Sequence, residues 1–256
     1  MTTIEESDII FNFTQQYFQK NVNEGEKIMI DVGAASGRAC VPFALKGWNV
    51  YAFEPNLFFY NHRGTPLKRY ILSGRKNIIL ENYAVSEKND AQIPFYISNE
   101  SLGISSITKW HNTHKEANFY VNTIRLDRYM KIKNINKVNF LKVDTEGQDL
   151  FVLKSYDWEK YTPEIILCEY EDKKTKIALN YTWEDMCKFL NDKGYHIIIS
   201  EWYPLKKYGA GGGHTFRCFN KYPCSLQDEN SWGNFICFKD VTLFETFCNL
   251  HKDKFI

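Results

Sequence analysis

Long apolar runs and paired cysteines are both missing from this chain of 256 residues. No stretch reaches the roughly 20 apolar residues that a transmembrane helix needs, and the N-terminus lacks the basic start and apolar core of a signal peptide. The seven cysteines are an odd set without a Cys-x-x-Cys pair, so we expect reduced thiols and a cytoplasmic protein. Cys218, Cys224, Cys237 and His214 match no common zinc spacing, and no zinc site is predicted.

A large charge of one sign is also absent, because 32 Lys and Arg residues face 31 Asp and Glu residues. A net charge of +1 gives no overall field to attract nucleic acid or a membrane surface, and we expect neither as a partner. One basic cluster stands out, and it is either an anion-recognising face or a solvated surface. It comprises His62, Arg63, Lys68, Arg69, Arg75 and Lys76.

Residues 28–37 have the sequence Ile-Met-Ile-Asp-Val-Gly-Ala-Ala-Ser-Gly and are predicted to form the centre of the fold. The apolar run at 28–30 is typical of a buried strand, and Asp31 ends it with a charge. Gly33 and Gly37 bracket a tight turn, after which the apolar spacing becomes helical. A strand, a glycine turn and a helix open many nucleotide-binding α/β sites, because glycines let the backbone approach a ligand and the helix start presents free N–H groups.

The turn lacks the third glycine of the dinucleotide signature Gly-x-Gly-x-x-Gly. Asp31 would face a pyrophosphate unfavourably, whereas it suits a cationic ligand with an amino group, such as S-adenosylmethionine. Glu54 ends the second strand where related folds bind the ribose hydroxyls. Asn82, Ala84 and Val85 end a third strand over residues 77–85 and leave room for a flat base. We predict an adenosine-ligand site, the alternative being an unrelated α/β protein with a glycine turn and a surface glutamate.

A second acidic centre follows the apolar strand at residues 138–143. Asp144 and Glu146 come directly after it, and Gly147 is predicted to begin a helix. Ligands of open parallel sheets bind outside the carboxyl ends of the strands, so the strands that end at Asp31 and Asp144 should be neighbours. Helix capping is the alternative role for Asp144 and Glu146, worth about 0.5–2 kcal/mol. A further strand at 164–168 is followed by two more acids, Glu169 and Glu171.

Outside these centres, residues 1–26 are predicted to carry a helix that packs on the core, and residues 27–256 to form a single domain. Two long loops, near 99–118 and 203–232, should form the rim of an acceptor site. The glycine-rich part of the second loop, 209–214, is either a lid or a surface loop. Strands at 196–200 and 235–238 are predicted to close the sheet as an antiparallel pair.

Six motifs in order resemble the FkbM family of S-adenosylmethionine-dependent methyltransferases. They lie at residues 31–37 (Asp-Val-Gly-Ala-x-x-Gly), 53–56 (Phe-Glu-Pro-Asn), 82–86 (Asn-Tyr-Ala-Val-Ser), 123–127 (Thr-Ile-Arg-Leu-Asp), 141–147 (Leu-Lys-Val-Asp-Thr-Glu-Gly) and 167–169 (Leu-Cys-Glu). The resemblance implies a class I Rossmann-like α/β fold, with a mostly parallel seven-stranded sheet, helices on both faces and an antiparallel last strand. It also implies O-methylation of a sugar, glycan or glycosylated small molecule. The chain departs from the family at Gln148, where an acid is usual.

The resemblance also implies roles for individual residues. Asp31, Gly33, Ala34, Ser36 and Gly37 would bind the methionine end of S-adenosylmethionine, Glu54 the ribose, and Asn82, Ala84 and Val85 the adenine. Asp144 and Glu146 would lie beside the transferred methyl group and act in catalysis.

The chemistry of the acceptor step stays open at the level of the sequence. The protein must align a hydroxyl behind the methyl group, and a base must take its proton. Asp144 or Glu146 is the first choice for the base, with histidines 111, 114 and 214 as substitutes, although the same acids could hold a divalent cation.

Three alternative classes of protein remain. One is a nicotinamide-dependent oxidoreductase, which the glycine spacing disfavours. The others are a protein that binds S-adenosylmethionine without catalysis and a methyltransferase of nucleic acids or small metabolites.

Overall fold

The computed structural model describes residues 5–17, 27–209 and 214–256. Its strands are β1 (Ile28–Val32), β2 (Asn49–Phe53), β3 (Ile78–Glu81), β4 (Ala84–Val85), β5 (Gln92–Phe95), β6 (Phe119–Ile124), β7 (Phe140–Val143), β8 (Ile165–Tyr170), β9 (His196–Trp202), β10 (Phe216–Lys221) and β11 (Trp232–Phe238).

The α-helices are α1 (Glu6–Tyr17), α2 (Cys40–Leu45), α3 (Leu57–Asn61), α4 (Pro66–Leu72), α5 (Leu126–Lys133), α6 (Asp149–Lys154), α7 (Asp172–Thr175), α8 (Trp183–Asp192) and α9 (Val241–Leu250). Short 3₁₀ helices cover Leu102–Ile104 and Lys252–Lys254. None of these described helices is both long enough and apolar enough to cross a membrane. Part of the N-terminal segment 1–26 lies outside the described residues.

The main sheet has the strand order β10-β9-β11-β8-β7-β1-β2-β3. Strands β3, β2, β1, β7 and β8 pair in parallel, which confirms the predicted Rossmann-like α/β class with its mostly parallel sheet. The antiparallel pairing of β9 with β11 is also confirmed. The predicted strand number differs, because the described residues contain eight strands in this sheet rather than seven.

The additional strand is β10, which lies inside the segment 203–232 that is predicted as a loop. It pairs antiparallel with β9 at the edge of the sheet, and its register shifts between Phe216 and Cys218. Such a bulge interrupts the alternation of apolar and polar residues by which a strand is recognised in a sequence. The sheet therefore does not end in the single antiparallel strand that was predicted, because β9 pairs antiparallel with both β10 and β11.

The predicted third strand over residues 77–85 is divided in two. Residues 78–81 form β3 in the main sheet, whereas residues 84–85 form β4 in a small sheet of order β4-β6-β5. Asn82 lies at the division, and its side-chain amide donates to the backbone oxygens of Glu54 (2.8 Å) and Pro55 (3.2 Å). The small sheet thereby lies beside the carboxyl ends of the parallel strands.

Alternating apolar residues on the buried strands supply a core to each face of the sheet. Ile30 packs with residues of α5, α6 and α8 on one face, whereas its neighbour Met29 packs with residues of α1, α2, α4 and α9 on the other. This distribution matches the predicted placement of helices on both faces. Helix α1 contributes Ile10 and Phe13, both buried, to the second face.

Candidate active site

A cavity lies at the carboxyl ends of β1, β2 and β7, and residues of the small sheet help to close it. Six residues that are predicted from the sequence to bind the cofactor or to act in catalysis line this cavity, namely Gly33, Glu54, Ala84, Val85, Asp144 and Glu146. The lining also includes residues for which the sequence predicts no role, among them Ala35, Phe59, Phe95, Leu102 and Ser106. The cavity therefore combines residues from both acidic centres of the sequence with residues from the loop 99–118.

Gly33 is the point at which the ends of β1 and β7 come together. The two strands are parallel neighbours, with Val32 opposite Val143, and the Asp144 N–H donates to the Val32 oxygen at 3.0 Å. Gly33 has a φ of +82°, and a Cβ atom there would lie 1.8 Å from the backbone oxygen of Asp144. Any side chain at position 33 would therefore push the two strand ends apart.

Gly33→Ala tests this close approach. Gly47 has a φ of +80° with no atom within 4 Å of a Cβ, so Gly47→Ala is a control for backbone strain alone, which costs about 1–2 kcal/mol. We expect Gly33→Ala to lower the free energy of unfolding by about 1–3 kcal/mol more than the control, as measured by urea denaturation. Equal losses in the two variants would show that the strand ends can separate without cost.

Asp31 lies within β1 rather than at its end, and it is fully buried. Burial raises the pKa of its carboxyl, against the opposing effect of the Lys142 ammonium. The Lys142 Nζ atom is 3.6 Å from Asp31 Oδ1 and 3.2 Å from Asp144 Oδ2. Burial disfavours the charge of Lys142, but Asp144 and Asp31 raise the pKa of its ammonium above the ordinary value. Asp31 therefore connects to the cavity through Lys142 and Asp144, and it is not among the lining residues.

The other residues of the glycine turn lie behind the cavity lining and contact α4. The Gly37 N–H donates to the Ala34 oxygen at 2.7 Å, and the Ser36 oxygen accepts from the Leu67 N–H at 3.0 Å. A Cβ atom on Gly37 would lie 2.4 Å from the Cβ of Leu67. Ala34, Ser36 and Gly37 thus pack the turn against α4, and the cavity lining in this turn comes from Gly33 and Ala35.

Glu54 is positioned by backbone hydrogen bonds to both of its carboxylate oxygens. Oε2 accepts from the Ala35 N–H at 2.6 Å, and Oε1 accepts from the Asn56 N–H at 2.7 Å. Burial raises the pKa of Glu54 to about 7, although these two N–H groups act in the opposite direction. A carboxylate has about four lone-pair positions, so each oxygen can still accept another hydrogen bond from a ligand in the cavity.

Asp144 and Glu146 come together with Glu169 at the other end of the cavity. One carboxylate oxygen from each of the three lies within 4.8 Å of the others. The ammonium of Lys174 on α7 is 2.7 Å from Glu146 Oε2, 2.7 Å from Glu169 Oε2 and 3.2 Å from Glu171 Oε2. Lys174 is buried, so it supplies a fixed positive charge inside this acidic cluster.

The carboxyl groups of Glu146 and Glu169 are affected by burial more than by the Lys174 ammonium. Burial raises the pKa of Glu146 to about 7, while the Lys174 ammonium lowers it. The pKa of Glu169 is raised well above its ordinary value for the same reason. Lys174 is not predicted from the sequence as part of the site. Its position five residues after Glu169 and three after Glu171 is the feature of the sequence that indicates an ion pair with them.

The turn that carries Glu146 is strained, and its helix begins later than predicted. Glu146 has a φ of +58° and Gly147 a φ of +106°, so α6 begins at Asp149 rather than at Gly147. Asp149 accepts from the Gly147 N–H at 3.3 Å and from the Thr145 hydroxyl at 3.2 Å. Helix capping was the alternative role for Asp144 and Glu146, but the N-cap residue is Gln148. A non-glycine residue held in this conformation is typical of a functional site.

The loop 99–118 covers the acidic end of the cavity. The Ser106 hydroxyl donates to the Glu146 backbone oxygen at 3.0 Å, and the Trp110 ring lies over Lys174, with Nζ 5.6 Å from its centroid. Tyr208 packs against Trp110 at a centroid distance of 5.2 Å, and its hydroxyl donates to Glu171 Oε1 at 2.7 Å. Parts of both predicted rim loops therefore meet above the buried charges.

The candidate histidines take part in other contacts. His114 is buried, with Nε2 3.0 Å from the Ile104 oxygen, and burial lowers the pKa of its ring. His111 lies 3.7 Å from Glu100, and the His214 ring packs against Trp232 at 5.2 Å. Within the described part of the chain, these histidines are not among the residues that line the cavity. The glycines of the predicted lid at 211–213 lie outside the described residues.

The parallel sheet and the cavity at its carboxyl edge define a Rossmann-like methyltransferase fold. Residues 31–197 match the methyltransferase FkbM domain, and the chain belongs to this family. The resemblance seen in the six motifs is thereby confirmed, and so is S-adenosylmethionine as the cofactor. No curated protein matches the chain.

Several solved methyltransferases are similar to the chain at low identity. The precorrin-6y C5,15-methyltransferase from Geobacter metallireducens is 11% identical, with 93% of this chain and 90% of that chain covered and a TM-score of 0.44. An rRNA methylase from Streptococcus thermophilus is 10% identical, with coverages of 93% and 99% and a TM-score of 0.45. Magnesium protoporphyrin IX methyltransferase from Synechocystis PCC 6803, solved with bound SAM, is 10% identical, with coverages of 92% and 78% and a TM-score of 0.43.

Proposed function

We propose that this protein transfers the methyl group of S-adenosylmethionine to a hydroxyl of a sugar, glycan or glycosylated small molecule. One observation carries the proposal: Glu54 lines one cavity together with Asp144 and Glu146. One cavity therefore gives access to Glu54, which is suited to bind ribose hydroxyls. The same cavity gives access to Asp144 and Glu146, which are suited to bind an acceptor hydroxyl. The family supports the methyl transfer, and the acidic pair supports the choice of a hydroxyl.

The cofactor would bind along the ends of β1, β2 and β4. Glu54 would accept hydrogen bonds from the ribose hydroxyls through its free lone pairs. Ala84 and Val85 would flank the adenine ring with small apolar side chains, and Gly33 would let the methionine part pass close to the backbone. Asn82, which donates to the Glu54 backbone oxygen, would keep the ribose carboxylate in position rather than touch the base.

Glu146 is the group proposed to take the proton of the acceptor. S-adenosylmethionine supplies an electrophilic methyl group on a cationic sulfur. As the hydroxyl oxygen bonds to the methyl carbon, the electrons of the carbon–sulfur bond pass to sulfur and the hydroxyl proton passes to the Glu146 carboxylate. A pKa of about 7 suits a general base at neutral pH. Asp144, whose side chain is 40% exposed, would accept a hydrogen bond from a neighbouring hydroxyl and align the acceptor.

A divalent cation is a further candidate for the acidic end. The oxygens of Asp144, Glu146 and Glu169 are of the type that such a cation prefers. Lys174 already forms ion pairs with two of the three, and a metal would have to compete with its ammonium. A chelator such as EDTA separates the two arrangements, because only a cation-dependent reaction would stop when it is added.

The proposal is tested by measuring S-adenosylhomocysteine formation with a panel of acceptors. The panel should contain oligosaccharides, glycosylated small molecules, non-glycosylated metabolites and RNA, each incubated with the protein and S-adenosylmethionine labelled in the methyl group. Label in a sugar hydroxyl supports the proposal. Label only in RNA or at a nitrogen overturns the acceptor class, and binding of S-adenosylmethionine without any product supports a non-catalytic protein.

Glu54→Gln tests the ribose contact. Hydrogen bonds to a charged group are worth about 1.5–3 kcal/mol each, so we expect the Kd for S-adenosylmethionine to rise roughly 10- to 100-fold. Isothermal titration calorimetry measures this change. Glu245→Gln on α9, which replaces an exposed acid, is the control. An unaltered Kd for Glu54→Gln would refute the contact.

The same contact predicts a pH dependence of cofactor binding. The pKa of Glu54 in the free protein is about 7, and the ribose hydroxyls donate to its ionised form. Binding therefore lowers the pKa of Glu54. The affinity for S-adenosylmethionine should reach its maximum above about pH 7 and should fall at lower pH, where the carboxyl is protonated in the free protein. In Glu54→Gln this part of the pH dependence should disappear.

A further inference from the structure

The charges of this protein are segregated along the chain although its net charge is only +1. Residues 55–80 contain five Lys and Arg side chains and no Asp or Glu. The other residues therefore carry a net charge of −4. The helices α3 and α4 and the turn after them, residues 57–76, form what we call the α3–α4 face.

Four of the five basic side chains of the α3–α4 face are exposed and Lys68 is half-buried. Arg63, Arg69, Arg75 and Lys76 are exposed, and Lys68 lies 4.3 Å from the centroid of the Tyr60 ring. Across the described residues, no carboxylate forms an ion pair with any of the five. Their positive charge is therefore available to an anionic partner.

Exposed apolar side chains accompany these charges. Leu57 and Phe58 on α3 are 40% and 46% exposed, and Leu72 at the end of α4 is 61% exposed. Helix α3 also supplies Phe59 to the lining of the cavity. The α3–α4 face is therefore continuous with the rim of the candidate active site.

We propose that the α3–α4 face docks the protein on an anionic lipid surface. Anionic headgroups attract clustered Lys and Arg side chains, and apolar side chains on the same face can enter the boundary between headgroups and acyl chains. A nucleic acid would use the same charges, but its phosphate backbone offers nothing for the aliphatic side chains of Leu57 and Leu72. The combination therefore favours a lipid surface. The proposal does not depend on the acceptor, and its consequence is that the rim at Phe59 would face the membrane.

The charges are tested by sedimentation of the full chain with lipid vesicles. Vesicles of phosphatidylserine and phosphatidylcholine should bind the protein, and vesicles of phosphatidylcholine alone should not. Each basic residue near an anionic surface raises the partition coefficient of a protein onto that surface roughly fivefold. The triple variant Arg63→Gln/Arg69→Gln/Lys76→Gln should therefore lower the partition coefficient onto these vesicles about 100-fold. A matched triple variant at the exposed lysines 131, 188 and 252 should bind like the unaltered protein. Binding should also weaken as salt is raised.

The apolar side chains separate a lipid surface from other polyanions. Phe58→Ser/Leu72→Ser keeps every charge, and it should lower vesicle binding about tenfold without changing the circular dichroism spectrum. A single-stranded RNA oligonucleotide is the competing probe. Vesicle binding that needs both the charges and the apolar residues supports the proposal. Binding of RNA but not of vesicles, equal binding to neutral vesicles, or no response to the basic triple variant would each overturn it.

Discussion

Glu146→Gln is expected to lower kcat by roughly 10²- to 10⁴-fold, the usual contribution of a general base, with the affinity for S-adenosylmethionine unaltered. The amide is nearly isosteric with the carboxylate but cannot take the acceptor proton. Lys174 would retain its ion pairs with Glu169 and Glu171, so the site should stay folded. Steady-state kinetics with an acceptor identified by the screen, together with calorimetry for the cofactor, separates the two effects.

Two companion variants sharpen this experiment. Glu159→Gln replaces an exposed acid and should leave kcat unaltered. Asp144→Asn should raise KM for the acceptor more than it lowers kcat, because Asp144 is proposed to align the acceptor rather than to take its proton. If Asp144→Asn had the larger effect on kcat and Glu146→Gln little effect, the two roles would have to be exchanged.

Lys174→Met is expected to lower the free energy of unfolding by about 3–5 kcal/mol, the cost of removing one partner from a buried ion pair. The change leaves Glu146, Glu169 and Glu171 without their shared cation in a buried cluster. Lys173→Met on the same helix removes an exposed lysine and should cost far less. Urea denaturation of the two variants measures the difference.

A double-variant cycle identifies the cause of that loss. If the loss comes from uncompensated negative charge, adding Glu169→Gln to Lys174→Met should recover part of the stability. Simple additivity of the two changes would argue instead for the lost contact between the Lys174 ammonium and the Trp110 ring. A Lys174→Met protein as stable as the unaltered chain would show that the cluster is already neutral through protonation.

Much of the fold follows from local patterns. The buried parallel strands are short apolar runs that end in a charge or a glycine, and this pattern is independent of distant residues. Because the carboxyl ends of parallel strands meet at one edge, the sequence alone assigns Glu54 and Asp144 to the same edge of the sheet. The position of Gly33 follows from the same pattern. The closeness of the Asp144 backbone oxygen, which would lie 1.8 Å from a Cβ atom at position 33, does not.

Contacts between distant segments decided the rest. Strand β10 pairs at an edge through a bulge, and no alternation of residues marks it. Asp31 was expected at the tip of its strand, but it lies inside β1 opposite Lys142, so its charge acts on a lysine of the neighbouring strand.

The sequence by itself determined the family, the cofactor and the strand ends that surround the cavity, because these depend on motifs within single segments. Only the tertiary structure decided that Lys174 lies among three glutamates and that the loop 99–118 covers them. Charge compensation in a buried site depends on which side chains the fold brings within a few ångströms, and this information is spread over residues far apart in the chain.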